Sequence, residues 1–202
     1  MSDDKLSRRE MLRHAALAGL GIAGAHSGIM AGEGESALGS LIAGPPPKHQ
    51  SMINVPFKRY ETVRLAVVGT GLRGRGVLRE FLNVPGLQVT ALCDVVEEKV
   101  LQAKALVEKA GQKTPALYFK GERGFEEAVR RDDVDFVYIA TPWEWHVPQS
   151  LAAMNAGKHV GVEVPAAYTL DDCWKLVKTS ERTRRHCMLM ETAATTTTSC
   201  WS

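Results

Sequence analysis

From residue 61 to residue 191, short apolar runs alternate with longer amphipathic ones, and this rhythm restricts the chain to few folds. Residues 63–68 read VRLAVV, an apolar, β-branched run that stops at Gly69 and predicts a buried strand. The same reasoning predicts strands over 87–93, 117–119, 136–140, 159–162 and 186–190. Helices are predicted over 74–83, 95–110, 124–131, 147–155 and 170–184. In the second of these, Val96, Val100, Ala103 and Val107 fall near one face. Gly157 closes the fourth helix, and Thr169 opens the fifth. Strands alternating with helices of this length imply right-handed βαβ units and one parallel sheet, an α/β fold of the doubly wound Rossmann type.

The first turn carries Gly69-Thr70-Gly71-Leu72-Arg73-Gly74, a G-x-G-x-x-G pattern between a strand and a helix. That placement gives the pattern its meaning. Gly69 permits a tight turn, Gly71 lets backbone approach a pyrophosphate, and Gly74 lets the helix pack on the strand. The phosphates then meet the free N–H groups of a helix N-terminus. Arg73 either adds charge beside them or lies solvated on the surface. Asp94 ends the second strand, twenty positions after Gly74, where a carboxylate accepts hydrogen bonds from the adenosine ribose. A carboxylate there repels a 2′-phosphate, so NAD is favoured over NADP. Asp94 is also placed to N-cap a helix starting at Val95, a role compatible with the first.

Open α/β sheets bind ligands beyond the carboxyl ends of their strands. Two segments fall there: Thr141-Pro142-Trp143-Glu144-Trp145-His146 and Glu163-Val164-Pro165. The tryptophans either cover the cofactor or form an apolar cap beneath their own loop. His146 either contacts the site, caps the next helix or pairs with a neighbour. Glu163 is placed to accept a hydrogen bond from the nicotinamide ribose.

The glycine loop, Thr141-Pro142 with His146, Ala156-Gly157-Lys158-His159-Val160 and the Glu-x-Pro triplet together resemble the Gfo/Idh/MocA oxidoreductase family. The usual triplet there is Glu-Lys-Pro, whose lysine serves sugar oxidation; here Val164 stands in its place. The set Trp143 to His146 with Glu163-Val164-Pro165-Ala166-Ala167 is similar to glycoside hydrolase family 109, which holds NAD tightly and is known for α-N-acetylgalactosaminidase activity. The resemblance covers about residues 61 to 191 and implies Leu72, Arg73, Asp94, Trp143, Glu144, Trp145, His146, Glu163 and Val164 as NAD contacts. It also implies cleavage of a glycoside by transient oxidation at sugar C3, elimination across C2, addition of water and return of the hydride. Three functions stay open: such a glycosidase, an NAD-dependent sugar dehydrogenase, and a non-catalytic NAD-binding fragment.

The flanks read differently. Arg8-Arg9 precede an Ala/Gly-rich apolar run, and Ala23-Gly24-Ala25 has the form of a cleavage site, so residues 1–31 are expected to be a twin-arginine export signal. The run is too short and glycine-rich for a membrane span. The expected location is periplasmic or extracellular, with the twin-arginine machinery as a partner. Residues 32–60, with Gly44-Pro45-Pro46-Pro47, are expected to be a linker. A net charge of +2 gives no case for a nucleic-acid or membrane-surface partner, leaving a small sugar or glycoside as the expected ligand. Cys93, Cys173, Cys187 and Cys200 lack metal-site spacing and are expected to be buried thiols.

Residues 192–202 form a threonine-rich tail where the resemblance expects Asn-Cys-Cys-Tyr after Glu191. Threonine codons are ACN and alanine codons GCN. One A inserted after the Glu191 codon, with T at the third positions, rereads Thr192 to Thr195 as that sequence. A single-base deletion is therefore expected there; a genuine low-complexity tail is the alternative. The resemblance further implies a C-terminal α/β domain that this chain lacks. No catalytic acid or base is identifiable, and the chain itself is expected to be inactive.

Overall fold

The computed structural model describes residues 51–190. The expected signal segment, residues 32–50 of the linker and the tail lie outside the described residues. All anticipated strands form: β1 (Val63–Val68), β2 (Leu87–Cys93), β3 (Ala116–Tyr118), β4 (Phe136–Ile139), β5 (His159–Glu163) and β6 (Cys187–Met190). They pair in parallel in the order β3-β2-β1-β4-β5-β6. The connecting helices are α1 (Leu72–Phe81), α2 (Glu97–Lys109), α3 (Phe125–Arg130), α4 (His146–Asn155) and α5 (Leu170–Thr183), with a 3₁₀ turn at Trp143–Trp145.

Side-chain alternation along β1 divides the core. Leu65 and Val67 pack with Val77 and Leu78 of α1 and with Val100, Ala103 and Val107 of α2. Ala66 and Val68 pack with Phe125 of α3, Met154 of α4 and Leu176 of α5. Each buried Val, Leu, Met or Phe among them contributes about 1.5–3 kcal/mol. From β1 the chain turns to β2 on one side and later returns to β4 on the other, which opens a crevice at the carboxyl ends of these strands.

Several boundaries differ from expectation. Helix α1 starts at Leu72, two residues early, so Gly74 lies inside its first turn. Helix α2 starts at Glu97 with Val96 as its cap, so Asp94 is not an N-cap for a helix at Val95. Its Oδ1 instead accepts the Val96 N–H at 3.0 Å in a local loop. Thr169 caps α5 as anticipated, accepting from the Asp172 N–H at 3.1 Å. Gly157 follows α4 with φ +79°, the left-handed closure that its position predicted. The thiols split: Cys93 is buried and Cys187 half-buried, but Cys173 on α5 is exposed, against expectation.

The amino ends of the strands are tied by charge and aromatic packing. Arg64 grips Asp135 with Nη2 to Oδ1 at 2.7 Å and Nε to Oδ2 at 2.8 Å. Lys158 donates to the Arg131 carbonyl at 2.6 Å, and His159 Nδ1 accepts the His186 N–H at 3.1 Å. Phe57, from the last part of the expected linker, packs on the His186 ring at 3.9 Å and the His159 ring at 5.2 Å. Burial first, then Arg185 and His186 nearby, pull the His159 imidazole down to about 4. Among the described residues no helix is long and apolar enough to cross a membrane, and no His, Cys, Asp and Glu cluster could hold a metal ion.

Candidate functional site

The glycine loop sits where β1 and β4 end. Gly69 has φ +90°, and a Cβ there would lie 2.5 Å from the Ala140 carbonyl oxygen. A Cβ on Gly74 would overlap the Gly69 carbonyl. Gly71 is different, because a Cβ would meet nothing within 4 Å. Two glycines therefore serve close packing inside the protein, and the third leaves an open cradle. The first intrahelical bond of α1 runs from Arg75 N–H to Gly71 O at 3.0 Å. The N–H groups of Leu72, Arg73 and Gly74 precede it, as at any helix start, and the first turn holds no acidic side chain. That is an anion site of the kind a pyrophosphate takes.

Two adjoining cavities flank this cradle. One, of about 320 Å³, is lined by Gly69, Gly71, Cys93, Asp94, Thr141 and Trp145 among others. The other, of about 290 Å³, is lined by Arg73, Thr141, Trp143, His146, Glu163 and Val164. Ala140 and Thr141 border both. Asp94 lines the first cavity, together with Glu122, and Glu163 lines the second. Asp94 Oδ2 accepts the Thr70 N–H at 2.8 Å and the Thr70 hydroxyl at 3.3 Å. Glu163 Oε1 accepts the Tyr138 hydroxyl at 2.6 Å, and Arg73 reaches the same carboxylate through Nη2 at 3.2 Å and Nε at 3.1 Å. Burial foremost, with Glu163 beside it, raises the Tyr138 phenol above its usual range, so it stays a donor. Burial foremost, with Asp94 adding to it, pushes the Cys93 thiol up to about 12.

The expected site residues do not all converge. Gly69, Gly71, Asp94 and Trp145 border the first cavity, and Trp143, His146, Glu163 and Val164 the second. Arg73 is drawn to Glu163, which raises its already high pKa through their hydrogen bond, and it borders the second cavity. Trp145 packs against the core with its ring 6.1 Å from Phe125, whereas Trp143 is 54% exposed and leans on Tyr168 at 6.0 Å. The two tryptophans thus point apart, Trp145 to the core and Trp143 outward. Glu144 is exposed and lines a separate cleft with Tyr168, Asp172 and Lys175, outside both cavities. Leu72 heads α1 with its side chain in solvent. His146 is wholly buried, with Nε2 2.9 Å from the Thr141 carbonyl oxygen and Nδ1 2.8 Å from the Pro165 carbonyl oxygen. Trp145 rather than His146 occupies the cap position of α4.

Tyr138, Thr70 and Gln149 were not anticipated. Gln149 is buried in α4 and accepts the Thr141 hydroxyl at 2.7 Å. The available signal was polarity out of place: a tyrosine within the aliphatic run of β4 needs a partner for its oxygen.

Comparison with known proteins agrees with this geometry. The model of the oxidoreductase family with an NAD-binding Rossmann fold, GFO_IDH_MocA, matches residues 63–191. This chain belongs to the Gfo/Idh/MocA oxidoreductase family, and its cofactor is NAD. Within that family it is similar to proteins named glycosyl hydrolase family 109. The one from Saccharopolyspora erythraea is 50% identical over 187 residues, covering 92% of this chain and 39% of the relative. The one from Bacteroides thetaiotaomicron is 45% identical over 146 residues, covering 72% and 31%. The chain thus spans well under half the length of these relatives. Among solved structures, an NAD-binding protein from Listeria innocua aligns with TM-score 0.52 at 29% identity, over 63% of this chain and 35% of its own. The scyllo-inositol dehydrogenase of Lactobacillus casei, solved with NAD(H) and scyllo-inositol, shares the fold with TM-score 0.55 at 24% identity, covering 63% of this chain and 36% of its own.

Proposed function

We propose that this chain is the NAD-binding part of a glycosidase of the family 109 kind, acting on a glycoside such as an α-N-acetylgalactosaminide. The bound nicotinamide would supply hydride removal and return at one sugar carbon. The chain's own residues bind and orient. The cradle at Gly71 and the start of α1 receive the pyrophosphate, Asp94 the adenosine ribose, and Glu163 the nicotinamide ribose. Trp145 forms an apolar wall of the adenosine cavity.

The observation that carries the reading is Val164. It borders the nicotinamide-end cavity at the position where the wider family keeps its sugar-oxidising lysine, and among the described residues no lysine lines that cavity. A site without that base suits a cofactor restored within each turnover. An exported protein, distant from cytoplasmic NAD, also needs a retained cofactor. The arginine pair and apolar run of residues 8–25 support export by the twin-arginine route, which carries folded proteins.

The test compares this chain with the product of a gene carrying one base restored after the Glu191 codon. NAD content is measured beside cleavage of a chromogenic α-N-acetylgalactosaminide without added cofactor. Cleavage by the restored protein alone is the expected result. Steady reduction of added NAD by free sugars would replace this reading with a dehydrogenase. A binding protein without turnover would be left if NAD is retained and neither reaction occurs.

A further inference from the structure

Tyr138 is wholly buried in β4 and packs edge-on against Phe81 of α1, with ring centroids 5.1 Å apart. An aliphatic core gains nothing from the phenol oxygen that phenylalanine would not supply. That oxygen must be partnered, and the partner is the Glu163 carboxylate at 2.6 Å. Tyr138 pairs in register with Gly161, so Tyr138 and Glu163 share one face of the sheet, the face that α1 covers. Arg73, from the first turn of α1, closes on the same carboxylate from that side. A carboxylate has about four lone-pair sites. The Tyr138 hydroxyl and Arg73 Nη2 donate into two of them, with Arg73 Nε 3.1 Å from Oε1 in the ion pair, which leaves room for a donor arriving in the cavity that Glu163 lines.

We infer that Tyr138 is a positioning residue for the nicotinamide end of the cofactor: its hydroxyl holds the Glu163 carboxylate in the orientation that meets the nicotinamide ribose. The inference rests on the assignment of Glu163 to that ribose. Arg73 alone does not fix the orientation, because its side chain is half exposed and its two contacts exceed 3 Å.

The test is titration calorimetry of the full 202-residue chain with two probes, NAD⁺ and ADP. ADP occupies the Asp94 end and lacks the nicotinamide ribose. In Tyr138→Phe, NAD⁺ affinity should fall about tenfold, as for other groups that orient a binding side chain, while ADP affinity stays as in the wild type. In Glu163→Gln the same split should be at least as large. Adding Tyr138→Phe to Glu163→Gln should then cost little more, because the hydroxyl acts on the ribose through that carboxylate. Unchanged NAD⁺ binding in Tyr138→Phe overturns the inference, and so does an equal loss for both probes, which marks a purely structural role. If Glu163→Gln itself leaves NAD⁺ binding intact while ADP binds, the ribose assignment fails and the inference falls with it. If the wild-type chain binds neither probe, the whole dinucleotide site is overturned.

Discussion

Asp94 and Glu163 line the two adjoining cavities of one crevice, and each is held by hydrogen-bond donors, yet the donors differ in kind. Around Asp94 they are the Thr70 N–H, the Thr70 hydroxyl and the Val96 N–H, all within two short loops. Around Glu163 they are Tyr138 and Arg73, side chains 25 and 90 positions away. One carboxylate is fixed by what the backbone must do to turn from strand to helix. The other is fixed by side chains that the fold happens to bring together. The first arrangement belongs to the architecture. The second depends on particular residues and is open to retuning by single substitutions.

The largest effect expected on this contrast comes from the glycine loop. Gly74→Ala forces a Cβ into the Gly69 carbonyl, backbone against backbone, and should cost about 3 kcal/mol of stability or more, read as a lowered Tm together with lost NAD binding. Gly71→Ala should leave Tm near wild type and weaken NAD alone, because the added methyl meets only the space the cofactor needs. Equal thermal losses for the two would break the distinction between packing glycine and cradle glycine.

The next largest effect lies at neither carboxylate. His159, at the amino ends of the strands, is held near 4 by burial against an unfolded value of about 6.5. The unfolded chain binds that proton first as pH falls, so the stability contributed by the neutral imidazole is complete above about 6.5 and lost as pH drops through about 4. The loss amounts to about 2–3 kcal/mol. Denaturant titrations from pH 7 to pH 4 should show it in the wild type and a flatter profile in His159→Gln. Equal slopes would place the acid sensitivity of the fold elsewhere, including at the crevice.

A smaller change is expected from Asp94→Asn. NAD should bind about tenfold less well and NADP little differently, since the charge that repels a 2′-phosphate is gone. Parallel losses for both nucleotides would mean that Asp94 serves only to shape the loop. The smallest effect is chemical. With its thiol raised to about 12, Cys93 should resist alkylation at pH 8 whether or not NAD is present, while exposed Cys173 reacts. Labelling of Cys93 at the rate of Cys173 would show that the Asp94 end is looser than its loop donors imply.

The same contrast explains what was legible in the sequence. The strand rhythm, the three glycines and Asp94 are local signals, because the turn from β1 into α1 and the end of β2 follow from spacing and backbone sterics. The Trp143–His146 segment was recognisable as belonging to the crevice, but its division was not. Trp145 turns inward to Phe125, Trp143 outward to Tyr168, and Glu144 away from both cavities. Those directions follow from a 3₁₀ turn whose packing partners lie on α3 and beyond β5. For Arg73 the sequence offers charge beside the phosphates or a solvated side chain, and its pairing with Glu163, 90 positions away, is visible only in the fold. The register of β4 against β5 decides that Tyr138 reaches a carboxylate, and no spacing rule within either strand contains it.

His146 bears on both ends of the crevice. Its ring spans the carbonyls of Thr141 and Pro165, so the loop leaving β4 and the loop leaving β5 share a single strut. Thr141 borders the Asp94 cavity as well as its neighbour, and a shift of the β5 lip is therefore carried to the far cavity as a displacement of one wall. In mechanical terms the crevice has one jaw where its outline suggests two.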